Sequence, residues 1–591
     1  MTDEQQNFGL KAFQPWAIHI GAWIVALCCG GLRTWTGRDL MTQDGIPYLE
    51  IGEAFMDGNW FQATNAYWGP LYGWLQGFIA WMVKPNIKWE YPLAHLVNFL
   101  LFLIGLSVFQ LFMHKLISAT RGIQGHQEEG KWEMIHEWCI LLTGNALYIW
   151  SGINLITVDL ITPDLMLAIF TMTAAIILLD LDGNPLRTSC WIKLGITLGV
   201  AYWVKSPVIP LTVCLYILLV FIYRRKTDVL LRWLLSLVVF LLIAMPYVFL
   251  LHERYGYWTF GDSGRLNYLW QVNNEDRYVH WQGDDPQYGE PVHPTRRLDS
   301  SPVVYEFDEP FDVTYAPWFD PAYWYSGADP RLDIFAHSKR IAQNVLRMMI
   351  MLIFLYPVAW MGLLALWWEG AISIARWQRL RLVIFWAALP LIMYLQILVL
   401  PRYISSFLAI LFITAIAMIR IPTIYSARRL ARAVILTIAA VMLISTVMVT
   451  AMSLPALRKF RGRYQPTILM SLTSEKKTLM PGKNIPNWEI ASAIHELGIK
   501  SGDKIAFLGG ALVNTYWARL ARVEIIAEIV PWDMLEYWEL TETEIKEMDH
   551  QFADMNVKAL VTREYGFVKP SGWQQIGKSD FFMKWINVDP D

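Results

Sequence analysis

Charged residues are scarce in this chain of 591 residues. They make up 17% of it, below the roughly 25% of ordinary soluble domains, while hydrophobic residues make up 55%. Lysine and arginine number 49 against 51 aspartates and glutamates, so the net charge is only −2. This composition excludes a soluble enzyme and a disordered chain, and the near-neutral balance excludes a strongly basic nucleic-acid binder. It favours a polytopic membrane protein with sizeable parts outside the bilayer.

Cysteine is also rare. The five cysteines are Cys28, Cys29, Cys139, Cys190 and Cys214, and all of them lie in apolar stretches rather than in polar loops. That placement excludes a disulfide framework and a CxxC metal site. The cellular side of each loop must therefore be inferred from the positions of lysine and arginine.

Long apolar runs are abundant. A helix that crosses a bilayer needs about 20 apolar residues. The stretch before the first run, with Lys11 alone, lacks the charged region and small-residue cleavage site of a removable signal peptide, so we expect an uncleaved anchor. We predict about eleven spans, at residues 16–32, 91–113, 136–152, 165–180, 191–204, 208–223, 233–251, 345–366, 382–400, 404–418 and 433–452.

Lysine and arginine are distributed unevenly between alternate loops. The richer set is predicted to be cytoplasmic, which places the N-terminus inside and puts loops 33–90 and 252–340 and the C-terminal tail outside. One signal disagrees, because a basic run follows the last span on the outer side: Arg458, Lys459, Arg461 and Arg463. An anchor without an organelle address predicts a bacterial inner membrane.

The parts outside the spans contain recognisable elements. In loop 33–90, Tyr48, Ile51 and Phe55 share one helical face before Gly58, which predicts an amphipathic helix on the membrane surface, and 70–82 predicts a second one. Residues 487–591 predict a small α/β domain. Its helices are expected at 488–497, 513–521 and 542–555, and its strands at 504–508, 523–529, 559–562 and 581–586. We divide the chain into a membrane domain, 1–455, and an extracytoplasmic domain, 456–591.

Four charged residues interrupt or border the apolar runs on the predicted outer side. Asp44 and Asp164 could act as a general base or hold a divalent cation beside a phosphate, or each could simply cap the helix that follows. Lys205 and Arg402 stand between apolar spans, where ionisable residues are costly and often functional. They suit a lipid phosphate, and the alternative is snorkelling to the interface.

Other polar and aromatic groups give weaker signals. Tyr67, Trp68 and Tyr72 suit stacking on a sugar, although aromatic belts are general in membrane proteins. Gly509-Gly510, between a strand and a helix, suits an anion or merely a tight turn. The long loop 252–340 offers residues that line an acceptor cleft or hold the loop together: His252, Asp262, His280, Asp284, Asp285 and His293.

Together these motifs resemble the GT-C superfamily of membrane glycosyltransferases over about residues 16–455. The resemblance is strongest to the group of the aminoarabinose transferase of lipid A, the protein mannosyltransferases and lipopolysaccharide-core transferases. The motifs that carry it are Asp44 before Gly45-Ile46-Pro47-Tyr48, Trp68-Gly69-Pro70-Leu71-Tyr72, Thr162-Pro163-Asp164-Leu165, Val204-Lys205-Ser206-Pro207 and Pro401-Arg402-Tyr403. The family fold is α-helical and polytopic, and many members append a small outer α/β domain.

The resemblance implies an inverting glycosyltransferase that uses a polyprenyl-phosphate-linked sugar. Asp44 would be the catalytic base, Asp164 a second carboxylate, and Lys205, Arg402 and Tyr403 would bind the donor. The acceptor, a glycan, lipid or protein, stays open, as does a divalent cation (Mg or Mn), because Gly45 replaces the second acidic residue that some members carry. The alternative is a non-catalytic GT-C-fold subunit of an envelope complex. A transporter fits less well because the chain shows no repeat symmetry.

Overall fold

The computed structural model describes residues 14–121, 132–275, 296–307, 312–323, 329–369, 371–372, 374–454, 485–513, 515–531, 533–564 and 572–586. The basic run Arg458, Lys459, Arg461 and Arg463 and the loop residues His280, Asp284, Asp285 and His293 lie outside the described residues, as does Lys11.

The membrane part is almost entirely helical. In chain order its helices and short strands are α1 (Pro15–Gly37), α2 (Gly45–Met56), α3 (Trp60–Ala63), α4 (Pro70–Val83), α5 (Glu90–Arg121), β1 (Trp132–Met134), α6 (Glu137–Asn154), α7 (Asp164–Gly183), α8 (Thr188–Val204), α9 (Val208–Tyr223), α10 (Thr227–Tyr255), α11 (Ser263–Tyr268), β2 (Arg296–Ser300), β3 (Val303–Glu306), α12 (Ala316–Phe319), α13 (Ile334–Leu355), α14 (Pro357–Glu369), β4 (Ala371–Ile372), α15 (Ile374–Ile397), α16 (Pro401–Met418), β5 (Ile419–Pro422) and α17 (Tyr425–Met452).

Seven helices in the described part of the chain are long and apolar enough to cross a membrane. They are α1, α5, α7, α10, the segment Trp377–Ile397 of α15, α16 and α17. The remaining predicted spans also coincide with helices, of which α9 is shorter but apolar. This architecture confirms the predicted class, a polytopic α-helical membrane protein.

The predicted span 345–366 is not one helix. α13 begins earlier, where Asp333 accepts a hydrogen bond from the amide of Ala336, and ends at Leu355. A new helix begins at Pro357, since proline lacks the amide hydrogen that a continuous helix needs at that position. Apolar periodicity alone does not reveal such a break.

The helix expected on the membrane surface, α2, is instead buried on most of its faces. It packs against α4 with almost no gap: a Cβ added to Gly52 would lie 2.3 Å from the carbonyl oxygen of Gly73, and one added to Gly77 would lie 2.1 Å from that of Gly52. Three glycines therefore allow two backbones to touch, a contact that an amphipathic pattern does not predict. Gly58 follows the helix with φ of 75°, in agreement with its expected role as terminator.

Loops that the charge rule places inside meet in a small antiparallel sheet. In it, β5 pairs with both β1 and β4. α16 runs from the segment around Arg402 directly into β5. The predicted inner and outer loops therefore lie at opposite ends of α16, while the assignment of one end to the cytoplasm stays a prediction.

The C-terminal part folds around a mixed sheet. Its elements are α18 (Asn487–Glu496), β6 (Lys504–Leu508), α19 (Trp517–Ala521), β7 (Glu524–Ile529), α20 (Met534–Tyr537), α21 (Glu542–Asp554), β8 (Val557–Arg563), β9 (Gln574–Gln575) and β10 (Phe581–Trp585). β6 is parallel to β7 and β8, and the strand order is β2-β3-β7-β6-β8-β10-β9. The expected α/β domain is present, with a shorter helix α19 than the predicted 513–521.

The hairpin β2–β3 comes from the loop that precedes α13, yet it belongs to this sheet. Val304 of β3 pairs with Ile529 of β7 in antiparallel register. The boundary that we drew at residue 456 thus separates two segments that share one sheet. Part of the long segment between α11 and α13 therefore completes the sheet of the C-terminal domain.

Candidate active site

The four charged residues singled out in the sequence lie together in space. Each stands at the end of a helix: Asp44 directly before α2, Asp164 at the start of α7, Lys205 directly after α8 and Arg402 in the first turn of α16. The helix ends converge at one end of the bundle, so residues far apart in the chain become neighbours.

Their charges alternate along a chain of contacts. Lys205 Nζ lies 2.6 Å from Oδ1 of Asp164, and Arg402 Nη2 lies 3.0 Å from Oδ2 of Asp44. Arg402 Nε also lies 3.8 Å from Oδ2 of Asp164. Arg402 therefore stands between the two carboxylates, and the group of four is neutral as a whole.

The capping alternative does not describe these aspartates well. Asp44 occupies the N-cap position of α2 but makes no side-chain capping hydrogen bond. Asp164 already lies within α7, whose N-cap is Pro163. Both carboxylates face the cations instead, which is the arrangement that a charged site requires.

The four side chains differ in the fraction of their surface that is exposed. The side chain of Asp164 is only 3% exposed, whereas those of Asp44, Arg402 and Lys205 are 27%, 22% and 19% exposed. A buried carboxylate is tolerable because two cations compensate it. Asp164 thus acts as a fixed counter-ion, while an incoming group can reach the other three side chains.

The rings of Tyr403 and Tyr394 lie beside the cations, and we call this pair the aromatic floor. Lys205 Nζ lies 4.2 Å from the ring centre of Tyr403, within the range of a cation–π interaction. The ring of Tyr403 stacks on that of Tyr394, with centres 5.3 Å apart. Tyr394 was not expected from the sequence, because it lies inside an apolar run and only the packing of α15 on α16 brings it here.

Tyr48 connects the charged group to the other predicted aromatics. Burial, and after it the carboxylates of Asp164 and Asp44, raises the pKa of the Tyr48 phenol well above its usual range. Its ring contacts Tyr72 and Trp68 edge-on, with centres 5.0 and 5.4 Å apart. We therefore expect Tyr48 to stay neutral throughout the physiological pH range.

The three aromatic residues predicted to meet a sugar differ in their surroundings. Tyr67 and Trp68 are partly buried, and Trp68 donates its indole N–H to the carbonyl of Trp318 in the segment between α11 and α13. Tyr72 is fully buried and donates its hydroxyl to Asn98. Of the three, only Tyr67 and Trp68 keep some exposed surface, whereas Tyr72 holds α4 against α5.

The donor set does not fit a resident metal ion. Within the described ranges there is no group of three or more His, Cys, Asp or Glu side chains placed to hold one. Asp44 and Asp164 are moreover separated by the guanidinium of Arg402, with which both make contacts.

The remaining candidates that the structure describes make contacts within their own segments. The buried Asp262 accepts hydrogen bonds from Tyr257 and Thr259, and His252 stacks on Trp258 with ring centres 4.0 Å apart. After Gly509-Gly510, the amide of Ala511 donates to the carboxylate of Glu528. The carboxylate of Glu528 thus occupies the position after Gly509-Gly510 at which the sequence suggested a bound anion.

Comparison with known proteins gives only structural likenesses. No family model matches the chain, and no curated protein matches it. Two structures of ArnT from Cupriavidus metallidurans, one apo and one bound to undecaprenyl phosphate, each cover 95% of this chain, and 98% and 97% of their own, with TM-scores of 0.48 and 13% identity. The Archaeoglobus fulgidus oligosaccharyltransferase in complex with Zn and sulfate covers 92% of this chain and 68% of its own, with a TM-score of 0.45 and 10% identity.

Proposed function

We propose that this protein is a membrane glycosyltransferase that moves a sugar from a polyprenyl phosphate to an acceptor at the outer face of the membrane. The observation that carries the proposal is the contact series Asp44–Arg402–Asp164–Lys205. It places two cations for a phosphate next to a partly exposed carboxylate that can accept a proton. A purely structural subunit has no need to gather four charges at a membrane boundary, where their desolvation is costly.

The phosphate of the donor would bind to Lys205 and Arg402. As the bond between the sugar C1 and the phosphate oxygen breaks, its electron pair passes to that oxygen, and the two cations neutralise the developing charge. The guanidinium of Arg402 can grip two phosphate oxygens at once. Asp164 keeps both cations in place from its buried position.

Asp44 would act on the acceptor. The acceptor hydroxyl attacks C1 from the side opposite the phosphate, and its proton passes to the carboxylate of Asp44. One displacement of this kind inverts the configuration at C1. In the free protein Arg402 holds Asp44, so a donor phosphate that engages Arg402 would release the carboxylate for this role.

An apolar groove between α9 and α10 supports this assignment, since the lipid part of such a donor needs an apolar surface. It has a volume of about 600 Å³, and Trp258 and Phe260 are among its lining residues. Its lining begins at Ile209, four residues after Lys205, and continues to Phe221. That length of helix is about 18 Å, enough for several isoprene units.

The test is mass spectrometry of the lipids retained by the purified protein, wild type beside Arg402→Ala. We expect a polyprenyl phosphate, with or without a sugar, that the variant loses. Arg38→Ala is the matched control, because Arg38 is an arginine near the same end of the bundle that pairs with Asp39 outside the site. Bulk phospholipid alone in every sample would contradict the proposal and favour the non-catalytic subunit.

A further inference from the structure

Two arginines of the C-terminal domain form ion pairs with two glutamates of the membrane part. Arg519 Nη1 lies 2.6 Å from Glu53 of α2, and Arg519 Nε lies 3.1 Å from Glu90 at the start of α5. Arg522 contacts the same two carboxylates, with Nη2 3.0 Å from Glu90. Each arginine thus joins two different helices of the membrane part.

The burial of these side chains indicates a specific contact between the two parts of the protein. The side chain of Arg519 is 8% exposed and that of Glu90 is 10% exposed, so both charges have left water for this contact. Burial opposes the charged form, yet Glu90 and Glu53 raise the pKa of Arg519 above its usual value. Next to them, Tyr91 donates its hydroxyl to the backbone carbonyl of Tyr516, which fixes the approach of α19.

The helix that both arginines contact is α2, and Asp44 directly precedes this helix. Glu53 lies nine residues after Asp44, which corresponds to about 13 Å along α2. Between them, Glu50 accepts a hydrogen bond from the amide of Thr314 in the outer loop. Gly52, next to Glu53, lies against the backbone of α4, so α2 is held between α4 and the C-terminal domain over its second half.

We infer that Arg519 and Arg522 are positioning residues, which hold α2 so that Asp44 keeps its place beside Arg402. This inference rests on the function proposed above, in which Asp44 accepts the proton of the acceptor. A misplacement of about 1 Å at a reacting group can lower the rate about 100-fold. The C-terminal domain would therefore set the turnover rate without contacting the reacting atoms.

The experiment compares Arg519→Gln with Arg563→Gln. Arg563 pairs with Asp580 inside the same domain, with side chains 12% and 11% exposed, and is therefore a buried ion pair of the same kind that does not contact α2. We expect Arg519→Gln to lower kcat at least 10-fold with the donor KM unchanged, and Arg563→Gln to leave kcat per folded molecule unchanged. The double variant Glu53→Gln with Arg519→Gln should lower kcat further than Arg519→Gln alone, because Arg522 then also loses its carboxylate partner on α2.

Hydrogen exchange provides a readout that does not need activity. In Arg519→Gln, the amides of α2 should exchange faster than in the wild type, and in Arg563→Gln they should not. If the wild type transfers no sugar, the proposed function has failed, and the exchange data still decide whether Arg519 holds α2. Should Arg519→Gln not fold, Arg522→Gln removes the more exposed arginine and takes the same readouts. Unchanged kcat and unchanged exchange in α2, or a lower melting temperature alone, would overturn the inference.

Discussion

The guanidinium of Arg402 lies 3.0 Å from the carboxylate of Asp44, across 358 residues of chain. This contact joins the first loop of the protein to the start of one of its last membrane helices. It also neutralises the proposed base in the absence of donor. In the proposed mechanism, a phosphate that binds Arg402 would compete directly with Asp44, which would couple donor binding to the release of the base.

Asp44→Asn should remove transfer activity, by about 100-fold or more, because the amide cannot accept the proton of the acceptor. Retention of the donor lipid should persist, since Lys205 and Arg402 remain. Steady-state transfer and lipid mass spectrometry on the same preparation measure both. Asp57→Asn is the control, as Asp57 is exposed at the other end of α2. Full activity of Asp44→Asn would remove this residue from the mechanism.

Tyr403→Leu should raise the donor KM several-fold, whereas Tyr403→Phe should leave it nearly unchanged. The reason is that the ring face, rather than the hydroxyl, meets the ammonium group of Lys205 at 4.2 Å. Phenylalanine keeps a cation–π interaction, which is worth about 0.5–2 kcal/mol, and leucine loses it. Equal KM values for the two variants would show that the aromatic floor does not position Lys205.

Glu50 and Glu53 should respond to pH in opposite directions. Burial raises the pKa of Glu50 despite the opposing charge of Arg519, so the folded state favours its protonated form and loses stability as the pH rises. Burial also acts on Glu53, but Arg519 and Arg522 outweigh it and lower its pKa, so Glu53 contributes stability that is lost as the pH falls through this lowered pKa.

Melting temperatures of the two glutamine variants test this pair. At neutral pH, Glu50→Gln should melt a few degrees higher than the wild type and Glu53→Gln a few degrees lower. The difference for Glu50→Gln should shrink as the pH falls toward the raised pKa of Glu50, whereas the difference for Glu53→Gln should shrink only below the ordinary glutamate pKa of about 4.3. Shifts of the same sign in both variants would show that the pKa values of the two carboxylates are not displaced in opposite directions.

Gly52→Ala should destabilise the protein by about 1–3 kcal/mol, because the added methyl group overlaps the backbone of α4, which cannot move aside as a side chain can. Thermal unfolding in detergent measures the loss. Gly21→Ala is the control: Gly21 is helical, nothing lies within 4 Å of an added Cβ, and alanine favours the helix. If both variants melt alike, the α2–α4 contact is looser than the structure shows.

Several parts of the fold were predictable because their causes are local. Apolar runs gave the helices, and their interruptions gave Asp44, Asp164, Lys205 and Arg402 at helix ends. The strand Lys504–Leu508 was predicted residue for residue, since a short apolar run before two glycines is a local pattern. Gly498, with φ of 108°, ends its helix as expected.

Other parts were not predictable because they depend on partners far along the chain. The hairpin β2–β3 joins the C-terminal sheet through backbone hydrogen bonds, which do not depend on particular side chains and so leave no pattern in the sequence. Burial of α2 depends on glycines of α4, and Tyr394 reaches Tyr403 only through helix packing. Apolar periodicity tells which residues leave water and leaves open which surfaces they meet.

The sequence by itself therefore determined a polytopic helical chain, its C-terminal α/β domain and four costly charges at helix ends, because hydrophobicity and turn chemistry act over a few residues. Only the tertiary structure decided that these charges pair in alternation and that Asp164 is the buried member. It also decided that Arg519 pairs with the helix that Asp44 precedes. Such pairings follow from how whole helices pack, since an ion pair needs its two atoms within about 4 Å, however many residues separate them.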